Sequence, residues 1–245
     1  MPQRLIRKLE HFTRLSDADK DALNGLGRKV RLCEAGTDII REGDTPENVN
    51  LFLDGWAYRY KQLEDGRRQI VAFFVPGDLC DLHVFVFREM DHAIAAITPV
   101  RLAVIPREHL LNLMDRHPRV TRALWWETLV NAAIQREWTF NLGRRTALER
   151  LAHLFCEVFL RLRAVGLTEG NTCPFPVTQV ELADATGLTS VHVNRTLREM
   201  RASGLIVFKG RQFTVPDFLA LRKVALFNPN YLHLDHEGAY LNANA

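Results

Sequence analysis

The chain lacks any run of about 18 consecutive apolar residues, so a membrane-spanning helix is not expected. A secretory leader is not expected either. The opening stretch MPQRLIRKLEHF alternates charged and apolar residues where a leader needs a continuous apolar core, so the expected location is the cytoplasm. Cysteine is scarce: Cys33, Cys80, Cys156 and Cys173 stand alone, with no CxxC pair. That spacing argues against a zinc ribbon or a clustered iron–sulfur site and reads as small buried hydrophobes in a reducing compartment. Strong net charge is missing too, at +3 overall, but its distribution is uneven. Residues 1–143 carry 20 basic and 20 acidic side chains, whereas residues 144–228 carry 12 basic and 7 acidic. A neutral front and a basic back point to a polyanionic partner for the back half.

Periodicity divides the chain. Ser16 is a good N-cap for a short helix with an acidic first turn. Glycines then recur at Gly43, Gly55, Gly66 and Gly77, separated by β-branched and aromatic runs such as NLFLDG, WAYRYKQL and RQIVAFFVPG. EDG at 64–66 is a hairpin turn signal, and AIAAI and RLAVI read as two further strands joined at Thr98-Pro99. Short strands of even spacing predict a jelly-roll-like β-barrel over residues 1–117. The period then becomes helical over 118–142, with Pro118 suited to the first turn. Val120, Leu124, Asn131, Ile134 and Trp138 recur by three, four or seven and predict a dimer seam against a second copy. Trp125, Leu129, Ala132 and Ala133 are then left to face the barrel; the alternative is a helix lying on its own domain. Asn141–Gly143 reads as a hinge. A second domain is expected over 143–228, in which LTEGNTCPFP is a surface connection. A weakly structured tail is expected over 229–245.

The stretch VTQVELADATGLTSVHVNRTLREM carries the chemistry. Thr178 with Glu181 three residues on is a capping box, Gly187 supplies a turn and Thr189 caps a second helix. Leu188 plugs the corner, while Val193, Leu197 and Met200 anchor the second helix on one side. Its other side carries Ser190, Val191, Asn194, Arg195 and Arg198, the arrangement of a helix-turn-helix whose second helix enters the major groove. Arg195 suits guanine, Asn194 adenine and Val191 a thymine methyl. Ser190, His192 and Thr178 suit phosphates, as does the cap Thr189. GLIVF and QFTV, joined by Lys209-Gly210-Arg211, form a basic wing.

A barrel, a long helix and a winged helix-turn-helix in that order resemble the Crp/Fnr family of bacterial transcription regulators, over roughly residues 10–225. LFLDGWAYRYKQLEDGRRQIVAFFVPGDLCDL is similar to that family's strand–glycine pattern, including Phe-x-x-Gly-Asp at 74–78, and VTQVELADATGLTSVHVNRTLREMRASGLI is similar to its DNA-binding motif. The resemblance implies an α+β fold and a homodimer on palindromic promoter sites. It also implies control of transcription, often through contact with RNA polymerase.

The departures bear on the signal. Cyclic-nucleotide-binding members carry a Gly-Glu pair where Asp81-Leu82 stands here, and an Arg-Ser or Arg-Thr pair where Met90-Asp91 or Asp91-His92 stands. An aspartate there repels a phosphate, so cyclic AMP is not expected to bind. Oxygen-sensing members carry an N-terminal cysteine cluster, and no cysteine precedes Cys33. Haem-binding members need an axial histidine, for which only the isolated His83 and His92 lie nearby. No cofactor or metal is therefore expected. An unknown small effector beside Phe85 and Phe87, or no ligand at all, remains. Val191 replaces the Glu that members often use to read cytosine, while Arg195 matches and implies a guanine in each half-site. Two rival readings are a cupin-type jelly-roll enzyme, which would need a His-x-His pair that the barrel lacks, and a module whose helix-turn-helix meets protein, which the basic wing disfavours.

Overall fold

The computed structural model describes residues 2–45, 47–80, 82 and 88–234. Contacts gather them into two units, one drawn from residues up to 60, 73–132 and 233–234, the other from 61–72 and 133–232.

The first unit opens with α1 (Gln3–Leu9) and α2 (Asp17–Gly25), the latter capped by a reciprocal Ser16–Asp19 box. Eight strands follow: β1 (Val30–Cys33), β2 (Asp38–Ile40), β3 (Asn48–Asp54), β4 (Ala57–Gln62), β5 (Arg68–Phe74), β6 (Leu79–Cys80), β7 (Ala93–Ala96) and β8 (Val100–Pro106). They form two four-stranded sheets, ordered β1-β8-β3-β6 and β2-β7-β4-β5, which is the jelly roll read from the strand spacing. Alternation along β3 and β8 divides their side chains between two cores. Phe52 and Leu102 point into the roll with Cys33, Phe74, Cys80 and Ile94, and the Phe52 and Phe74 rings stack at 5.0 Å. Val49, Leu51, Ala103 and Ile105 point outward, onto α1, α2, α3 (Arg107–Arg116) and the start of α4 (Pro118–Arg144). Burying each of the valine, leucine, isoleucine and phenylalanine side chains among them stabilises the fold by about 1.5–3 kcal/mol. Gly55 is obligatory: its φ is +85°, and a Cβ would sit 2.3 Å from the Pro99 carbonyl oxygen. Lys8 of α1 ties the layers together through Asp78 Oδ1, at 2.6 Å, and Glu127 Oε1 of α4.

Most residues of the seam expected on α4 are buried within the chain itself. Val120 and Leu124 are buried in the first unit's core, and Ile134 and Trp138 are buried in the second unit. Asn131 stays exposed. Trp125 and Leu129, expected to face the barrel, are 54% and 64% exposed, and Ala132 is exposed beside them; Ala133 is buried. The physical reason is that the helix is apolar on two sides, and the chain's own cores take the more continuous apolar stripe. The hinge also moves. α4 runs through Asn141–Gly143 to Arg144, and the break falls at 145–146, where Thr146 caps α5 (Ala147–Ala164) in a box with Glu149. A capping hydroxyl that captures the next helix's N–H groups ends α4 more effectively than an exposed glycine.

The second unit holds α5, β9 (Thr172–Pro174), α6 (Gln179–Thr186), α7 (Ser190–Ala202), β10 (Val207–Lys209), β11 (Gln212–Thr214), α8 (Phe218–Val224) and a 3₁₀ turn (Pro229–Leu232). The stretch read as a surface connection contains β9, which pairs with β11 to give a three-stranded wing sheet, β10-β11-β9. Its Cys173 and Phe175 are buried, and Phe155, Phe175, Phe208 and Phe213 cluster with centroids 4.9–5.9 Å apart. By its contacts the β4–β5 hairpin, residues 61–72, groups with this unit. Arg68 donates from Nε and an η nitrogen to Asp184 Oδ2 at 2.8 and 2.7 Å, and Gln135 Nε2 donates to the Val71 carbonyl at 2.7 Å. The tail is ordered further than expected, because Tyr231 and Leu232 are buried. Residues 235–245 lie outside the described residues.

A buried polar network holds the helices of this unit. The Glu157 carboxylate accepts from Trp138 Nε1 at 3.1 and 3.2 Å and from the Tyr231 hydroxyl at 2.8 Å, with Arg161 3.6 Å away. Burial raises its pKa against the pull of Arg161, Trp138 and Tyr231. His153, one turn earlier, is fully buried. Its Nδ1 lies 3.0 Å from Asn141 Nδ2, and Tyr231 stacks on its ring. Burial, aided by the Arg145 charge, pushes His153 down from an ordinary 6.5 to about 3, so the ring is neutral and accepts the Asn141 N–H at Nδ1. A histidine with a depressed pKa contributes its full stability above the unfolded value of 6.5 and loses it as pH falls from there toward 3, because the unfolded chain takes the proton first. Between pH 7 and pH 5, His153→Phe is expected to lose about 2 kcal/mol less stability than wild type, measured by denaturant unfolding at each pH. Parallel pH profiles for the two proteins would contradict this.

Candidate nucleic-acid interface

Local chemistry fixes the helix-turn-helix. Both halves of the Thr178–Glu181 box are present at the start of α6, and Gly187 ends that helix in the left-handed region at φ +63°. Its backbone N–H reaches the Ala183 carbonyl. A Cβ at Gly187 would meet Leu142 Cδ2 at 3.2 Å, so both conformation and space require glycine. Thr189 caps α7 by accepting from the His192 N–H at 3.2 Å. Val193, Leu197 and Met200 are buried, as their spacing demands, and Thr196 joins them.

The opposite face of α7 is open. Val191 is 81% exposed, Ser190, Arg195 and Arg198 are exposed, and His192 and Asn194 are half-buried. Lys209 and Arg211 are exposed at the wing tip on either side of Gly210. Arg195, Arg198, Lys209 and Arg211 make no ion pair with any described residue, so all four carry their charge to solvent. This is the electrostatic signature of a face that meets a polyanion. Two of the sequence-expected residues are engaged in other ways. The Thr178 hydroxyl is used by its own cap, donating to Glu181 Oε2 at 2.8 Å and accepting from the Glu181 N–H. Asn194 Nδ2 donates to Gln179 Oε1 at 2.9 Å.

Sequence reading missed the residue that seats this motif. Arg150 of α5 donates to the carbonyls of Leu142 and Arg145, both at 3.0 Å, and to that of Thr186. Leu142 and Thr186 lie in the last turns of α4 and α6, whose carbonyls would otherwise lack partners. One guanidinium thus serves two helix C-termini, where a cation is favoured, and the break between α4 and α5. Its position i+4 from the cap Thr146 was the available signal.

The profile for the Crp-like helix-turn-helix domain matches residues 149–224, and that for the cyclic nucleotide-binding domain matches residues 30–117. The chain is 33% identical over 203 residues to the transcriptional activator protein FnrL of Cereibacter sphaeroides, an alignment covering 80% of this chain and 79% of that one. The chain belongs to the Crp/Fnr family. It is 30% identical over 193 residues to the nitrogen fixation regulation protein FixK of Bradyrhizobium diazoefficiens, covering 78% of this chain and 79% of that one. Among solved structures, FixK2 from Bradyrhizobium japonicum superposes with a TM-score of 0.72 at 28% identity, covering 80% of this chain and 96% of that one. The protein is thus a Crp/Fnr-type transcription regulator with a helix-turn-helix DNA-binding domain, and its family is one of regulators rather than enzymes.

The effector region is described in part. Asp81, His83, Phe85 and Phe87 lie outside the described residues. Met90 is buried, and the exposed Asp91 holds His92 Nδ1 at 2.6 Å. Among the described residues no cluster of three metal-ligating side chains occurs, and no helix is long and apolar enough to cross a membrane. All four cysteines are free and buried, and burial pushes the thiols of Cys156 and Cys173 up to about 12.

Arg150→Met removes three bonds to carbonyls at helix ends and is expected to lower the unfolding free energy by about 2–4 kcal/mol. Denaturant titration checks this, and a loss below about 0.5 kcal/mol would show that the corner is held by other contacts.

Proposed function

We propose that this Crp/Fnr regulator acts as a homodimer on palindromic promoter DNA, reading base edges with α7 and gripping phosphates with the wing. The observation that carries the reading is the outer row of α7: exposed Val191 and Arg195 beside half-buried Asn194, on a helix whose other face is fully packed. Arg195 reads guanine O6 and N7, Val191 touches a thymine methyl and Asn194 pairs with adenine. Ser190, His192, Thr189, Arg198, Lys209 and Arg211 contact phosphates, and Thr178 acts there through the helix start that it caps. The domain plan is a sensor roll, a dimerisation helix and a winged helix-turn-helix, working in the cytoplasm and contacting RNA polymerase at the promoter. FnrL is named a transcriptional activator, and activation is the direction carried over from it. The effector is not cyclic AMP, because Asp91 presents a carboxylate to solvent where cyclic-nucleotide-binding relatives place an arginine or its neighbour.

Dimerisation is assigned to the face of α4 that the chain's own cores leave open. Arg122, Trp125, Leu129, Ala132, Arg136 and Thr139 follow one another at spacings of three and four, and all are exposed. That is the a/d rhythm of a two-stranded coiled coil, with small Ala132 allowing close approach and apolar Trp125 and Leu129 supplying the buried area.

Arg195→Ala is expected to cost about 1–3 kcal/mol on a cognate duplex and to relax the base preference at one pair per half-site. Wild type should also show a steep loss of affinity with salt. Binding that is flat with salt and indifferent to this substitution would refute DNA recognition by α7. For the dimer, Leu129→Glu is expected to give a folded monomer by sedimentation. A dimer that survives it would move the interface elsewhere.

A further inference from the structure

We infer that Gln179 is a specificity-determining residue of the DNA interface, fixing the Asn194 side-chain amide in the orientation that reads adenine. This rests on the reading of α7 as the base-contacting helix. Gln179 is the first residue of α6 and is exposed. Asn194 lies one turn into α7, fifteen residues later, and its Nδ2 donates to Gln179 Oε1 at 2.9 Å. This side-chain bond bridges the two helices of the motif on its solvent side, away from the buried Leu182, Val193 and Leu197.

The chemistry follows from counting donors and acceptors. An asparagine amide has two N–H donors and one carbonyl acceptor. Unrestrained, it turns over and offers a base edge either donor or acceptor at a given place. With one N–H given to Gln179, Asn194 retains one N–H and Oδ1 side by side, and that pair matches adenine N7 and N6. Gln179 needs a fixed orientation of its own for this to work. Its Nε2 makes no hydrogen bond within the described residues, and the start of the first helix of such a motif lies against the DNA backbone. A phosphate oxygen accepts only, so it takes the Nε2 end and leaves Oε1 for Asn194. The direction of donation runs from Asn194 to Gln179 and from Gln179 to phosphate, and it sets which base Asn194 tolerates. Phosphate contact is thereby converted into base selectivity by a residue that touches no base.

The test measures affinity for a cognate duplex and for its three variants at the pair facing Asn194, using wild type, Gln179→Ala, Gln179→Glu, Asn194→Ala and the double variant. Circular dichroism checks folding. Wild type should prefer A·T at that pair by about tenfold or more. Gln179→Ala should reduce the preference to under about threefold while other positions keep theirs, and adding it to Asn194→Ala should change the preference no further. Gln179→Glu, which can only accept from Asn194, should restore the adenine preference while binding every duplex more weakly. A Gln179→Ala variant that keeps the full preference while Asn194→Ala loses it overturns the proposal. An equal loss at every position, with no recovery in Gln179→Glu, overturns it too. A wild type without base preference anywhere defeats the underlying reading of α7, a result distinguishable from failure of the relay alone.

Discussion

The guanidinium of Arg150 is the constraint from which the geometry of the DNA-binding unit follows. A recognition helix is useful only when its first turn is aimed, and here the aim depends on the corner after α6 and the break after α4. Both end in backbone carbonyls without helical partners. Arg150 collects one from each helix end and a third from the break, and its burial lowers its pKa without threatening its charge. Gly187, left-handed and tight against Leu142, completes the corner. The outer face of α7 then needs no further support: its inner face is packed, its N-terminus is capped by Thr189, and Arg195 and Arg198 make no ion pair among the described residues.

The second unit is held together by polar groups buried at a cost and paired across its helices. Glu157 gathers the indole of α4 and the phenol of the 3₁₀ turn, and Arg161 offsets its charge. Asn141 and His153 join α4 to α5, with the imidazole kept neutral. An apolar core of equal volume would be no less stable, but it would not dictate which helix faces which. In the first unit, Lys8 between Asp78 and Glu127 serves the same end, fixing the register of α1 against the roll and α4.

Much of this was legible in the chain, and the failures share a cause. Local rules succeeded: the glycine rhythm gave the roll, and the Thr178 box, Gly187 and the Thr189 cap gave the motif. Where two elements compete for one apolar surface, local rules do not decide. Apolar spacing on α4 identified a real stripe through Val120, Leu124, Ile134 and Trp138, but the chain's own cores claimed it and left the more mixed face of Trp125, Leu129 and Arg136 to solvent. Composition around Asn141–Gly143 suggested a hinge, yet the Thr146 cap placed it later. Glu157, Tyr231 and Gln179 could not be paired by eye, because their partners lie 15–74 residues away and single polar residues carry no period. The 3₁₀ turn was missed for that reason: its buried residues are only Tyr231, whose phenol reaches α5, and Leu232.

The central claim is that two copies of the α7 face read base pairs about one duplex turn apart. Selection of the purified protein against a pool of random duplexes tests it most directly. The account requires enrichment of an inverted repeat with a guanine in each half and half-site centres about 10–10.5 base pairs, or a multiple of that, apart. A pool that returns no enriched sequence at low salt, or only an unrepeated single site, would contradict it.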